Sequence, residues 1–202
     1  MQNDGLILRV KRLYAAIKAS EKTDISKFLP KVINDGHRKG FSQDWSDGLS
    51  EAELTNIAQS LIYSIAHFDA PLKKWADRNS QDKTKVDLMF NSSLALRIIK
   101  DLSNYDKHAY PQRDGGHSGK SPRVDEFRRI MQMTTKPEKS SFVASTFTPQ
   151  GVPKVSGNGT AKVVVSGDIL DKDGNNIGDL HKIALEAVEA WENVLSDYGV
   201  KL

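Results

Sequence analysis

The spacing of apolar and polar positions is most regular over residues 82–111, where it predicts one long, buried helix. At 100° per residue, one side of this helix is apolar in its first half and polar in its second, with the polar positions spanning an arc of roughly 60°. The apolar positions are Val86, Phe90 and Leu94, and the polar positions are Arg97, Asp101, Asn104 and His108. If those polar groups are buried, they must satisfy one another. We therefore expect the chain to be organised around this helix.

Three other segments have the spacing of amphipathic helices. The first carries an apolar stripe over residues 6–17, and the second follows a capping-box sequence at Ser50–Glu53 and is ended or kinked by Pro71. The third, over residues 179–198, closes the chain and presents Trp191 among its apolar positions. Two shorter helices are predicted over residues 26–35 and 124–133.

The pattern changes from residue 141 onward, where alternating and β-branched residues favour strands. Residues 141–146 and 161–170 are the predicted strands, and the turn-forming residues between them indicate an antiparallel pair. The predicted fold is α+β: a predominantly helical bundle over residues 1–140, a small antiparallel sheet over 141–178, and a closing helix over 179–198. We expect residues 1–202 to form a single domain.

Composition narrows the functional classes. The chain has 202 residues and no cysteine, which excludes disulfides, thiolate catalysis and cysteine-ligated metal sites. No segment has the apolar length of a signal peptide or a membrane span, so we expect a cytoplasmic protein without membrane contact. The net charge is +3, with 25 basic and 18 acidic residues in 1–159 against 4 and 8 in 160–202. Because the basic residues are interspersed with acidic ones, solvated helix faces are favoured over a nucleic-acid surface.

Two loops resemble ligand-binding motifs but lack positions that those motifs need. Residues 115–121 end in Gly-Lys-Ser like a phosphate-binding P-loop, but Asp114 stands where its first glycine is required and Pro122 follows directly. This loop is a candidate anion site through side chains alone. The residues of that candidate site are Arg113, His117, Lys120 and Arg123, and a wider nucleic-acid surface adds Arg128 and Arg129.

The second loop begins at Asp171 and resembles the start of a calcium-binding EF-hand loop. Asn176 replaces its glycine and Lys182 its closing glutamate, so a tight turn followed by Asp179 as a helix cap is the favoured interpretation. The histidines form no local pair at metal-ligand spacing. We therefore predict no metal and no cofactor, and we expect His67 to face solvent.

The polar side of the central helix is the remaining place for chemistry. Its candidate catalytic residues are Arg97, Asp101, Asn104, Lys107 and His108. An arginine can bind phosphate, a carboxylate can orient an imidazole, and a histidine can transfer a proton near neutral pH. The alternative is a structural network in which Arg97 pairs with Asp101 and His108 caps the helix.

Residues 101–108, Asp-Leu-Ser-Asn-Tyr-Asp-Lys-His, resemble the Asp-Leu-Ala-Asn-x-x-Lys-His segment of uncharacterised bacterial and phage-associated proteins. Some of those proteins are similar to HEPN-type helical domains. That resemblance implies a helical bundle and, in active members, metal-independent RNA cleavage by an arginine followed four to six residues later by a histidine. Here Arg97 precedes His108 by eleven positions.

Two functional hypotheses follow. The first is a non-enzymatic helical accessory protein that binds a partner, either RNA or another protein, and that could form a homo-oligomer. The second is a HEPN-like, metal-independent ribonuclease or RNA-binding protein that uses the polar side of the central helix.

Overall fold

The structure, a computed structural model, describes residues 4–34, 36–108 and 114–200. Its helices are α1 Asp4–Ser20, α2 Glu51–Ala66, α3 Asp69–Arg78, α4 Thr84–Ser92, α5 Leu94–His108 and α6 Leu180–Asp197. Within those residues, no helix combines the length and the apolar character needed to cross a membrane.

Two of the predicted helix starts are confirmed. At α2, the Ser50 side chain accepts a hydrogen bond from the backbone N–H of Glu53, whose carboxylate accepts one from the backbone N–H of Ser50. At α6, the Asp179 carboxylate accepts a hydrogen bond of 3.0 Å from the backbone N–H of Lys182. Each cap satisfies amide groups that would otherwise lack a partner in the first turn of the helix.

The strands are antiparallel and belong to four small sheets. They are β1 Glu21–Lys22, β2 Lys31–Asn34, β3 Lys39–Ser42, β4 Arg123–Val124, β5 Arg128–Thr134, β6 Val143–Phe147, β7 Pro153–Gly157, β8 Thr160–Ser166, β9 Asp168–Leu170 and β10 Asn176–Asp179. One sheet has the order β1-β8-β5 and another the order β10-β9-β4, while β2–β3 and β6–β7 are two-stranded.

The prediction of a single sheet near the C-terminus is therefore wrong. Strands occur in the part predicted to be helical, and the predicted helices at 26–35 and 124–133 are replaced by a 3-10 turn at Ile25–Lys27 and by strands β2, β4 and β5. Strand β8 carries buried valines and pairs with β1 and β5, whereas β6 pairs with β7. A buried central strand needs partners on both edges, and here they come from distant parts of the chain.

The long central helix is interrupted at Ser93. This residue has extended backbone angles, φ −87° and ψ 111°, and its hydroxyl accepts a hydrogen bond of 3.3 Å from the backbone N–H of Leu96. Serine and asparagine side chains compete with the helix for backbone hydrogen bonds, and Asn91, Ser92 and Ser93 form such a run. The result is two helices, α4 and α5, and Leu94 is exposed rather than buried.

The main core joins the helices to strands β8 and β9. It includes Trp191 of α6, whose indole N–H donates to the backbone oxygen of Ile65 in α2 at 3.1 Å. Helix α5 packs against both α2 and α6. It also contacts α4 and β4, and Asp101 on α5 contacts the loop at 114–122, so this arrangement positions the groups described next.

Candidate functional site

Asp101 is a buried anchor for the glycine-rich loop. Its side chain lies in α5 and the residue is 1% exposed. The carboxylate accepts hydrogen bonds from the backbone N–H of His117 at 2.8 Å, and from the backbone N–H and the hydroxyl of Ser118 at 2.7 and 2.6 Å. Hydrogen bonds to an ionised acceptor are the strong class, so the loop is held firmly on the helix.

The loop folds as a cradle around that carboxylate. Gly115 has a φ of +78°, and a Cβ atom there would lie 2.7 Å from the backbone of Gly119, so only glycine fits. The N–H of Gly119 bonds to the oxygen of Gly116, that of Lys120 to the hydroxyl of Ser118, and that of Ser121 to the oxygen of Gly115. The amides of His117 and Ser118 thus bind the Asp101 carboxylate, and the other three bind groups of the loop itself, so they are already engaged.

The candidate anion-binding side chains are dispersed around this loop. His117 and Lys120 are exposed, while Arg123 is half-buried and donates to the backbone oxygen of Asp171 at 3.2 Å. Arg113 lies outside the described residues. An external anion would therefore rely on His117 and Lys120 rather than on backbone amides.

Arg97 supports the same loop. Its guanidinium donates to the backbone oxygen of His117 at 3.4 Å, and the ring of Phe90 meets that of His117 edge-on with centroids 5.4 Å apart. The expected structural pairing of Arg97 with Asp101 is replaced by bonds from each side chain to the loop. Both residues are thus used in packing a loop on α5.

Lys107 lies on a different side of α5 from the other predicted polar residues. Asn104 is half-buried, and Lys107 and His108 are exposed. Lys107 projects toward α2, away from the loop held by Asp101, and its ammonium nitrogen lies 3.0 Å from Nε2 of His67. The five predicted catalytic residues therefore do not converge on one point.

A second polar cluster lies where α2 ends beside α5. His67 is half-buried at the C-cap of α2, and its Nε2 lies 3.2 Å from the hydroxyl of Ser103, a residue that is 4% exposed. The imidazole ring packs on the ring of Tyr63 with centroids 4.3 Å apart, and Lys107 lies 5.4 Å from the centroid of the Tyr63 ring. A tyrosine, a histidine, a serine and a lysine thus meet at one place.

The charge state of His67 follows from this environment. Burial lowers the pKa of its imidazole, and the positive charges of Lys100 and Lys107 lower that pKa further, against a smaller opposing effect of Asp69. Because the Lys107 ammonium can only donate, Nε2 of His67 must accept and carries no proton. His67 is accordingly a neutral imidazole near neutral pH.

Two depressions border Tyr63. The first, which we call the α1–α2 depression, has a volume of about 180 Å³ and is lined by Arg9, Arg12, Tyr63, Ser64, His67 and Phe68. The second, the α2–α5 cavity, has a volume of about 330 Å³ and is lined by Gln59, Ile62, Tyr63, Leu102, Ser103, Tyr105, Asp106, Val124 and Phe127. Tyr63 is 54% exposed and stands between them.

Sequence reasoning assigned His67 to the solvent and did not single out Tyr63 or Ser103. A signal was present, because Tyr63 and His67 are four residues apart in α2, as are Ser103 and Lys107 in α5. Side chains at this spacing share a helix side. What the spacing does not contain is the packing of α2 on α5, which brings the two pairs together.

The described ranges contain no group of histidine, aspartate and glutamate side chains able to hold a metal ion. Comparisons with family models, curated proteins and solved structures gave no match to this chain. The function must therefore be argued from the site itself.

Proposed function

We propose that this chain is a non-enzymatic binding protein whose partner is single-stranded RNA. The binding surface, which we call the α1–α2–α5 face, consists of Arg9, Arg12, Tyr63, His67 and Lys107. The observation that carries the proposal is the exposed Tyr63 ring, 54% accessible, with Lys107 5.4 Å from its centroid and both arginines lining the depression beside it.

The chemistry of this face suits an unpaired polynucleotide. An exposed aromatic ring offers a stacking surface for a base, and neighbouring cations neutralise the phosphates on either side. A neutral imidazole packed on the tyrosine adds a second flat surface without requiring a proton. Arg97 and Asp101 are used in anchoring a loop, which supports a binding role over a catalytic role for the polar side of α5.

Fluorescence anisotropy with a labelled oligouridylate of about twelve nucleotides tests this proposal. The affinity should fall as salt rises, and Tyr63→Ala should weaken binding by about tenfold through loss of one stacking platform. Lys107→Met should reduce the slope of log affinity against log salt by about 0.7, the contribution of one phosphate contact on a single strand.

Matched controls come from equally exposed positions elsewhere. Lys74→Met on α3 removes a lysine outside the face, and Phe147→Ala removes a half-exposed aromatic ring from β6. Both should bind like the unaltered chain. Absence of salt-dependent binding, or equal losses in the controls, would refute the RNA-binding role.

A second candidate function is metal-independent RNA cleavage, favoured by the unprotonated Nε2 of His67 beside Lys107 at 3.0 Å. In this reaction the Lys107 ammonium moves from Nε2 to the phosphate, so that Nε2 can take the proton of a 2′-hydroxyl, whose oxygen attacks the adjacent phosphorus. The bond to the 5′-oxygen breaks, and that oxygen takes a proton from water. The hydroxide so formed removes the proton from Nε2, and Lys107 offsets the phosphate charge. Incubation of RNA in excess chelator, with His67→Asn as control, should give 2′,3′-cyclic ends only with the unaltered chain.

A further inference from the structure

The α2–α5 cavity is a separate feature from the basic face and has the form of a small-ligand site. Its volume of about 330 Å³ lies at the lower end of the range typical of ligand pockets. Ile62, Leu102, Val124 and Phe127 supply an apolar lining, which suits a flat ring. The polar groups at the cavity come from neighbouring positions of α2 and α5.

These polar side chains differ in whether they can donate or accept hydrogen bonds. Nε2 of His67 has one lone pair, which lies within hydrogen-bond distance of both the Lys107 ammonium and the Ser103 hydroxyl. The Ser103 oxygen keeps acceptor lone pairs whether or not its proton goes to that nitrogen. Ser103 therefore presents an acceptor to the cavity.

Gln59 and Asp106 also offer hydrogen-bond acceptors to the cavity. The side-chain amide of Gln59 donates through Nε2 to Oδ1 of Asp106, so its carbonyl oxygen is the end with capacity to accept. The Asp106 carboxylate accepts only, and one bond from Gln59 leaves it further lone pairs. The Tyr105 hydroxyl can act either way. Three of the four polar side chains at the cavity thus offer acceptors, and Asp106 offers nothing else, so a ligand with N–H donors complements them.

We propose that the cavity receives a guanine base of a bound RNA strand, with its Watson–Crick edge toward Gln59 and Asp106. This inference rests on the proposed RNA binding and specifies its base selectivity. Guanine carries two adjacent N–H donors on that edge, whereas uracil carries one donor between two acceptors, which would face the carboxylate. Tyr63 borders both depressions, so a strand stacked on it can place the neighbouring base in the cavity.

The test compares oligouridylates with and without one central guanosine on the full chain, by fluorescence anisotropy at constant salt. A guanosine should tighten binding by about tenfold, the discrimination of one bidentate base contact. Inosine, which lacks the 2-amino group, should recover only part of that gain. Replacement of N7 of guanine by carbon should change nothing, because N7 lies on another edge.

Asp106→Asn replaces one acceptor oxygen with a donor and should abolish the guanosine preference while oligouridylate binding stays. Asp106 is exposed, so this change leaves the core intact, and Asp125→Asn is a control with the same change of charge outside the cavity lining. Equal binding with and without guanosine, or a guanosine preference that survives Asp106→Asn, overturns the cavity assignment alone. Failure of every oligonucleotide to bind in a salt-dependent way overturns the proposed function as well.

Discussion

At the scale of single residues, His181 is a buried ionisable group whose neighbours have opposite effects on its pKa. It is 1% exposed, and its Nε2 lies 3.1 Å from the Glu21 carboxylate, which also pairs with Lys162. Burial and then the charge of Lys162 lower the pKa of this imidazole, against the raising effects of Glu21 and Asp179. The folded chain therefore holds His181 neutral under conditions where the unfolded chain protonates it.

This lowered pKa makes the stability of the folded chain depend on pH. Since the unfolded state binds more protons, the free energy of unfolding should fall as pH drops from about 7 through the ordinary histidine range, and it should level off once the folded form also protonates. Urea denaturation across this range measures the effect. His181→Gln should reduce the slope, and the part that remains comes from His67, whose pKa is also lowered. A slope insensitive to His181→Gln would contradict the assignment.

The surroundings of individual residues could be predicted from the sequence only in part. The helix caps at Ser50 and Asp179 were predicted because capping depends on side chains within four positions of one another. His67 was assigned to the wrong surroundings because its partners Ser103 and Lys107 are 36 and 40 positions away. The polarity of the α2–α5 cavity likewise depends on the contact of Gln59 with Asp106, 47 positions away, and could not be obtained from periodicity.

At the scale of elements, α5 acts as a support with two functional sides. One side holds the 115–121 loop through Asp101, and the other carries Ser103 and Lys107 to the α2 contact. Local pattern correctly predicted helix over most of residues 84–108 but not the break at Ser93, where a serine cap competes with continuation. Strand β5 was taken for a helix because its pairing with β8 is not a local property.

The anchor on α5 leads to a prediction about stability. Asp101→Asn keeps the size of the side chain but turns an amide N–H toward loop N–H groups that need acceptors. We expect a loss of about 2–4 kcal/mol in the free energy of unfolding, the cost of leaving buried donors unsatisfied. Chemical denaturation measures it, and Asp114→Asn, an exposed change in the same loop, should cost little. Similar values for the two variants would argue against the anchor.

At the scale of the whole molecule, one continuous core connects all six described helices with β8 and β9. A second, smaller cluster contains Ile25, Phe28 and Val163 and is joined to the first along β8. Such shared packing indicates that the parts depend on one another for stability. The α+β class could be predicted from composition of the segments, but the placement of four sheets along the chain could not.

A cooperative unit should unfold in a single step. We expect thermal unfolding followed by far-ultraviolet circular dichroism and by tryptophan fluorescence to give the same midpoint, because Trp191 lies in the shared core. Trp45 packs against the smaller cluster, so a Trp45→Phe variant separates the two signals. Midpoints that differ between the probes would divide the chain into two folding units.

Because its amides bind the Asp101 carboxylate, the glycine-rich loop is an anion-binding site whose anion belongs to the same chain. Because the carboxylate is part of the same chain, its effective concentration at the loop amides far exceeds that of a free anion in solution. Phosphate or a free carboxylate therefore cannot compete for those amides in the unaltered chain. Asp101→Gly removes that carboxylate and leaves the loop amides free to bind small carboxylates such as formate. An increase in the stability of this variant on adding formate would report binding at the vacated position.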